Sequence, residues 1–132
     1  MIDVDPAVSV VMPVHNARPF LDNAICSIRL QTLTDLELII VDDGSTDGSA
    51  EIIDALARED GRIQVVHKPN GGKTSALKAG FERSRGNIVI IQDADLEYDP
   101  AEILHVVQPI TDNHADVVYG SRFLVRRASR VL

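Results

Sequence analysis

The sequence predicts an α/β fold, a Rossmann-like parallel β-sheet flanked by helices. Three observations carry this reading. Five short stretches are apolar almost without interruption, as strands are when both sheet faces are covered. Segments with helical periodicity separate them, which is the strand–helix alternation of a parallel sheet. The polar clusters gather where the apolar stretches end, and in such sheets ligands bind outside the carboxyl ends of the strands.

Each element follows from local chemistry. Val8–Val14 is the first strand, with Pro13 ending its pairing, and His15–Pro19 is a loop with Pro19 placed for a helix start. Phe20–Thr32 reads as a helix through Phe20, Leu21, Ala24, Ile25 and Ile28, and Cys26 on it is a small packing residue. Leu36–Val41 is the second strand. It runs into Asp42-Asp43-Gly44-Ser45-Thr46-Asp47-Gly48-Ser49, a tight turn with capping side chains. A helix over Gly48–Glu59 carries Ile52, Ile53, Leu56 and Ala57 on one side, and Arg62–His67 is the third strand. Pro69–Gly72 is a loop. Lys73–Arg85 is a helix closed by Gly86, and Asn87–Ile91 is the fourth strand. Pro100–Asn113 reads as a helix that Pro109 bends or ends early, and Asp116–Tyr119 as a fifth strand leading to Gly120-Ser121-Arg122-Phe123. The tail from Leu124 has no evident partner element.

The 132 residues suit one compact domain, with 45% hydrophobic and 25% charged residues, both ordinary for a globular protein. A net charge of −7 lacks the basic footprint that a nucleic-acid partner requires. The single cysteine allows no internal disulfide and no cysteine zinc site. The start is acidic rather than apolar, and no run approaches the roughly 20 apolar residues of a membrane span. The expectation is a cytoplasmic protein, peripheral at the inner face of a membrane if its substrate is a lipid. An unfinished sheet edge would leave apolar surface for a second copy to cover, so a homo-oligomer is kept open.

The most informative stretch is Gln92-Asp93-Ala94-Asp95-Leu96-Glu97, directly after the fourth strand. Asp93 and Asp95 lie two positions apart, so in extended backbone both point the same way. Two such carboxylates repel unless a cation or a ribose lies between them. Three phosphate or nucleophile devices are absent. Gly72-Lys73-Thr74 has His67 where a P-loop needs its first glycine, and neither Gly-x-Gly-x-x-Gly nor Gly-x-Ser-x-Gly occurs. What remains is an acidic cleft with Lys73 and Arg122 nearby. Asp43 can accept hydrogen bonds from a base edge and Asp93 from ribose hydroxyls. Asp95, with Glu97 as a second oxygen, suits Mg²⁺ or Mn²⁺ shared with a substrate diphosphate.

Val8–Asn16, Ile40–Gly48 and Gln92–Asp95 together resemble family 2 glycosyltransferases with the GT-A fold. Asp93–Pro100 and Val118–Phe123 are similar to the polyprenyl-phosphate branch, which includes dolichol-phosphate mannose synthases. The resemblance covers almost the whole chain. It implies that Pro13, Val14 and His15, with Val41 and Asp43, hold the nucleotide base of a nucleoside-diphosphate sugar, UDP- or GDP-linked. It implies that Asp93-Ala94-Asp95 is the Asp-x-Asp motif meeting ribose and metal, that Glu97 adds a metal or phosphate contact, and that Arg122 faces the phosphates. Lys73 is a further candidate contact. Asp95 and Arg122 are the expected catalytic residues.

Two departures stand out. The family's Tyr-Asn-Glu after the first strand is His15-Asn16-Ala17 here, without the acid. The chain ends at Leu132, before the acceptor-binding half that such enzymes have, so a domain truncated there is expected. In this family a nucleophile displaces the nucleoside diphosphate from the anomeric carbon with inversion. A sugar hydroxyl needs a general base, whereas a polyprenyl phosphate is already ionised. The alternative is a nucleotide-sugar-binding module without transferase activity. A receiver-like signalling domain fits poorly, because its acid pair belongs after the first strand and its lysine after the last, whereas the acids here follow the second and fourth.

Overall fold

The computed structural model describes residues 4–94, 103–118, 125–126 and 130–131. The elements run β1 (Val8–Val14), α1 (Arg18–Arg29), β2 (Leu36–Asp43), α2 (Ser49–Glu59), β3 (Ile63–Lys68), α3 (Lys73–Arg83), β4 (Ile88–Ile91) and α4 (Ile103–Thr111). Four strands form one parallel sheet in the order β3-β2-β1-β4. The chain winds outward from β1 to β3 and then crosses to the other side of β1. The strand order therefore reverses between β1 and β4, which is where a ligand crevice opens in such sheets.

Alternation along the strands divides the core. Val8, Val10, Met12 and Val14 of β1 and Leu36, Leu38 and Ile40 of β2 pack with Leu21, Ile25 and Ile28 of α1, Ile53 of α2, and Ile103 and Val107 of α4. The opposite face carries Ile39 and Val41 against Ala76 of α3. Here α3 lies very close to the sheet: a Cβ at Gly80 would collide with the Val11 side chain. Only glycine allows that approach.

Several boundaries differ from the sequence reading, each for a local reason. The first helix starts earlier, at Arg18, and ends at Arg29 rather than Thr32. Its last turn tightens as Gln31 N–H reaches Ile28 O, 3.3 Å away. β2 runs two residues further, because Asp42 and Asp43 stay in register with His67 and Lys68 of β3. α3 stops at Arg83 rather than Arg85, and Gly86 is not its cap. Instead Glu37 takes the Arg85 N–H (2.8 Å), and Gly86 passes so close to Ser9 that a Cβ would lie 2.7 Å from its nitrogen. Pro109 lies inside α4 without ending it. The expected fifth strand is not formed over 116–118: Val117 is 64% exposed, and no described strand pairs with it. The tail instead contributes a small antiparallel pair, β5 (Val125–Arg126) and β6 (Arg130–Val131). Nor is the sheet covered throughout, since Val89 and Ile91 on the α3 side of β4 are 41% and 46% exposed.

Candidate functional site

The carboxyl ends of β1, β2 and β4 meet at one rim, and their loops are tied together. After β1 the chain turns through Asn16 at φ 52°. His15 Nδ1 donates to the backbone carbonyl of Asp43 (2.9 Å), Asn16 N–H donates to Ser45 Oγ (3.0 Å), and Asn16 Oδ1 accepts Thr46 N–H (2.8 Å). Asp47 joins the starts of two helices: its carboxylate accepts Arg18 N–H at 3.1 Å and Ser49 N–H at 3.0 Å. The Ser49 hydroxyl bond, with these backbone donors, holds Asp47 below the ordinary carboxylate pKa despite some desolvation. An acid there also opposes the positive ends of both helices.

Asp43 is buried and strongly held. Oδ1 accepts Lys68 Nζ (2.8 Å) and Gly71 N–H (2.9 Å), and Oδ2 accepts Gly72 N–H (3.0 Å). Burial works against its charge, but the Lys68 ammonium and the two backbone donors outweigh it and lower the pKa. The loop carrying these donors crosses Gly44 so closely that a Cβ there would lie 2.7 Å from Asn70 N. The next residue, Lys73, reaches the end of β4, where its ammonium sits 3.0 Å from both oxygens of Asp93. Residues 71–73 therefore link Asp43 to Asp93 across the rim.

Asp42, on the other face of β2, accepts Ser45 N–H (3.0 Å) and His67 Nδ1 (2.9 Å), while His67 Nε2 lies 2.8 Å from Asp54. Both ring nitrogens face carboxylates, an arrangement that favours the protonated ring. The bonds to Asp42 first and Asp54 second raise the His67 pKa.

The structure thus brings together His15, Asp43, Lys73 and Asp93 among the residues singled out from sequence. Val14, Val41 and Ala94 are buried in the core and frame the rim from beneath, and Pro13 is half-buried. Asp95, Glu97 and Arg122 lie outside the described residues. Sequence reasoning placed Asn16 and Asp42 at the strand ends but missed Lys68 and the His67 and Asp54 partners of Asp42. Lys68 lies one residue past the strand end read from sequence, and the register Asp43↔Lys68 puts both on one face.

Among the described residues no three His, Cys, Asp or Glu side chains are arranged to hold a metal ion. Mg²⁺ or Mn²⁺ shared with a diphosphate needs only one or two protein carboxylates, so that is no obstacle. Asp93 at the rim is 21% exposed and is held by Lys73. A separate concavity of about 510 Å³ lies at the opposite rim, lined by Asp35, Glu37, Arg62 and Arg85 among others. Its Glu37 is committed to Ser9 Oγ (2.6 Å) and Arg85, a structural network.

Comparison with known proteins identifies the family and the fold. The sequence profile of Glycosyl transferase family 2 matches residues 9–131. The uncharacterized glycosyltransferase EpsJ of Bacillus subtilis is 37% identical over 125 residues, covering 95% of this chain and 36% of that protein. An undecaprenyl-phosphate 4-deoxy-4-formamido-L-arabinose transferase of Pseudomonas aeruginosa is 40% identical over 120 residues, covering 87% and 35%. Among solved structures, the mannosyltransferase PcManGT of Pyrobaculum calidifontis, in complex with GDP-Man and Mn²⁺, aligns with TM-score 0.68 and 28% identity, covering 76% of this chain and 31% of that one. S. aureus TarS 1–349 with UDP-GlcNAc aligns with TM-score 0.69 and 26% identity, covering 81% and 31%. The chain spans about a third of the length of these relatives.

Proposed function

The chain belongs to glycosyl transferase family 2 and has the GT-A fold, and from that premise we propose that it is the donor-binding part of a sugar transferase. The observation that carries this is the 71–73 segment, which holds Asp43 and Asp93 at one rim of the sheet, beside the point where strand order reverses. In this reading the donor is a nucleoside-diphosphate sugar, as in the GDP-Man and UDP-GlcNAc complexes of the structural relatives. Asp43 meets the base and Asp93 the ribose. Lys73 fixes Asp93 and places a positive charge near the diphosphate.

Asp95 and Glu97 are the residues that would hold Mg²⁺ or Mn²⁺. When bound, that ion offsets charge on the departing diphosphate. The acceptor is a polyprenyl phosphate, in line with the undecaprenyl-phosphate transferase among the relatives. Such an acceptor brings its own ionised nucleophile, so this part of the fold needs no general base. Arg122 would face phosphates of donor or acceptor. The second reading, a binding module that transfers nothing, rests on the chain spanning about a third of its relatives.

Incubation with a panel of UDP- and GDP-sugars, undecaprenyl phosphate and Mn²⁺ separates the two. A lipid-linked sugar product establishes the transferase. Nucleotide binding without product from this chain, with product from a longer gene product, establishes the module. Absence of nucleotide binding overturns both.

A further inference from the structure

We propose, resting on the donor-nucleotide reading above, that Lys68 determines which base the site takes: uracil or thymine, and not guanine. A carboxylate has two oxygens, each with about two acceptor directions. Oδ1 of Asp43 already receives two donors, Lys68 Nζ at 2.8 Å and Gly71 N–H at 2.9 Å. Oδ2 receives one, Gly72 N–H at 3.0 Å. Among the described residues no further donor reaches Asp43, which leaves one acceptor direction on Oδ2. The side chain is also only 5% exposed, so a base meets it along one narrow edge.

Guanine presents two adjacent donors on its Watson–Crick edge, N1–H and the 2-amino group. They match a carboxylate with both oxygens open, in the bidentate manner of a fork. Here the second donor would meet a filled oxygen and the Lys68 ammonium, a group that can only donate. Uracil and thymine present one N–H flanked by carbonyls. Their N3–H fits the remaining direction on Oδ2, and the carbonyl on the Oδ1 side faces the ammonium, which has two of its three hydrogens committed to Asp43 and to Pro69 O at 2.8 Å. A site built to hydrogen-bond one donor pattern rejects another because buried groups are then left unpaired.

The test is titration calorimetry of the chain with UDP, dTDP and GDP in the presence of Mg²⁺, repeated with Lys68→Met, which keeps most of the stem and removes the donor. The expected result is UDP and dTDP at least tenfold tighter than GDP, with the ratio collapsing toward one in Lys68→Met. GDP binding as tightly as UDP would overturn the inference and leave the donor-nucleotide reading standing. No binding of any of the three would overturn that reading and the inference with it. An unchanged ratio in a folded Lys68→Met would remove Lys68 from the explanation. If that variant melts, Lys68→Gln, which keeps a donor, is expected to give an intermediate ratio, and a wild-type ratio retained in folded Lys68→Gln would overturn the role given to Lys68.

Discussion

Lys73 places its ammonium 3.0 Å from both carboxylate oxygens of Asp93, bridging the start of α3 and the end of β4. The lysine side chain is 60% exposed, so the pair adds little to stability, on the order of 0–1 kcal/mol. Its value lies in placing a charge at the rim. Lys73→Ala is expected to weaken nucleoside-diphosphate binding about tenfold, ~1.4 kcal/mol, while moving the thermal midpoint by only a few degrees. Calorimetry and a melting curve on the same sample check both.

Asp43 is the opposite case, a buried acid with three donors from its own chain. Asp43→Ala leaves the half-buried Lys68 and two backbone N–H groups without their acceptor and is expected to cost about 3 kcal/mol. Asp43→Asn, which keeps one carbonyl, should cost less. Because the folded-state pKa of Asp43 is lowered, its contribution is present above the ordinary carboxylate value and lost as pH falls through the folded one. Urea midpoints between pH 2 and pH 6 should therefore fall less steeply with acid in Asp43→Asn than in the parent.

His67 gives a dependence of opposite sign. Its pKa is raised by Asp42 and then Asp54, so the stability it adds is full below the ordinary histidine value near 6.5 and is lost as pH rises through the folded value. Denaturation midpoints measured from pH 5 to pH 9 should decline over that window. The decline should shrink in Asp54→Asn and vanish in His67→Gln.

Gly80 tests the packing of α3. Its Cβ would collide with Val11, so Gly80→Ala, normally favourable in a helix, is expected to destabilise by about 1–3 kcal/mol. Val11→Ala in the same chain should recover part of that loss, a coupling that a double-mutant cycle measures.

These residues also show what could be read from sequence alone. The β1, β2 and β4 strands were visible because uninterrupted apolar runs have one common explanation, burial in a parallel sheet. Asp43 and Asp93 were visible because acids directly after such runs stand at the ligand-binding rim. What failed depended on tertiary partners. Gly86 looked like a helix cap, yet its purpose is the close passage by Ser9, and α3 ends early because distant Glu37 captures Arg85 N–H. Residues 116–118 have the composition of a strand but no ladder partner among the described residues. Lys68 was hidden by a strand end placed one residue short.

The central claim is that a donor nucleotide binds where 71–73 joins Asp43 to Asp93. Amide chemical-shift mapping of the chain with UDP and Mg²⁺ tests it most directly. The account predicts that the largest shifts fall on Asn16, Gly71, Gly72 and Ala94. Shifts gathered instead around Glu37 and Arg85 at the opposite rim, or no shifts at saturating nucleotide, would contradict it.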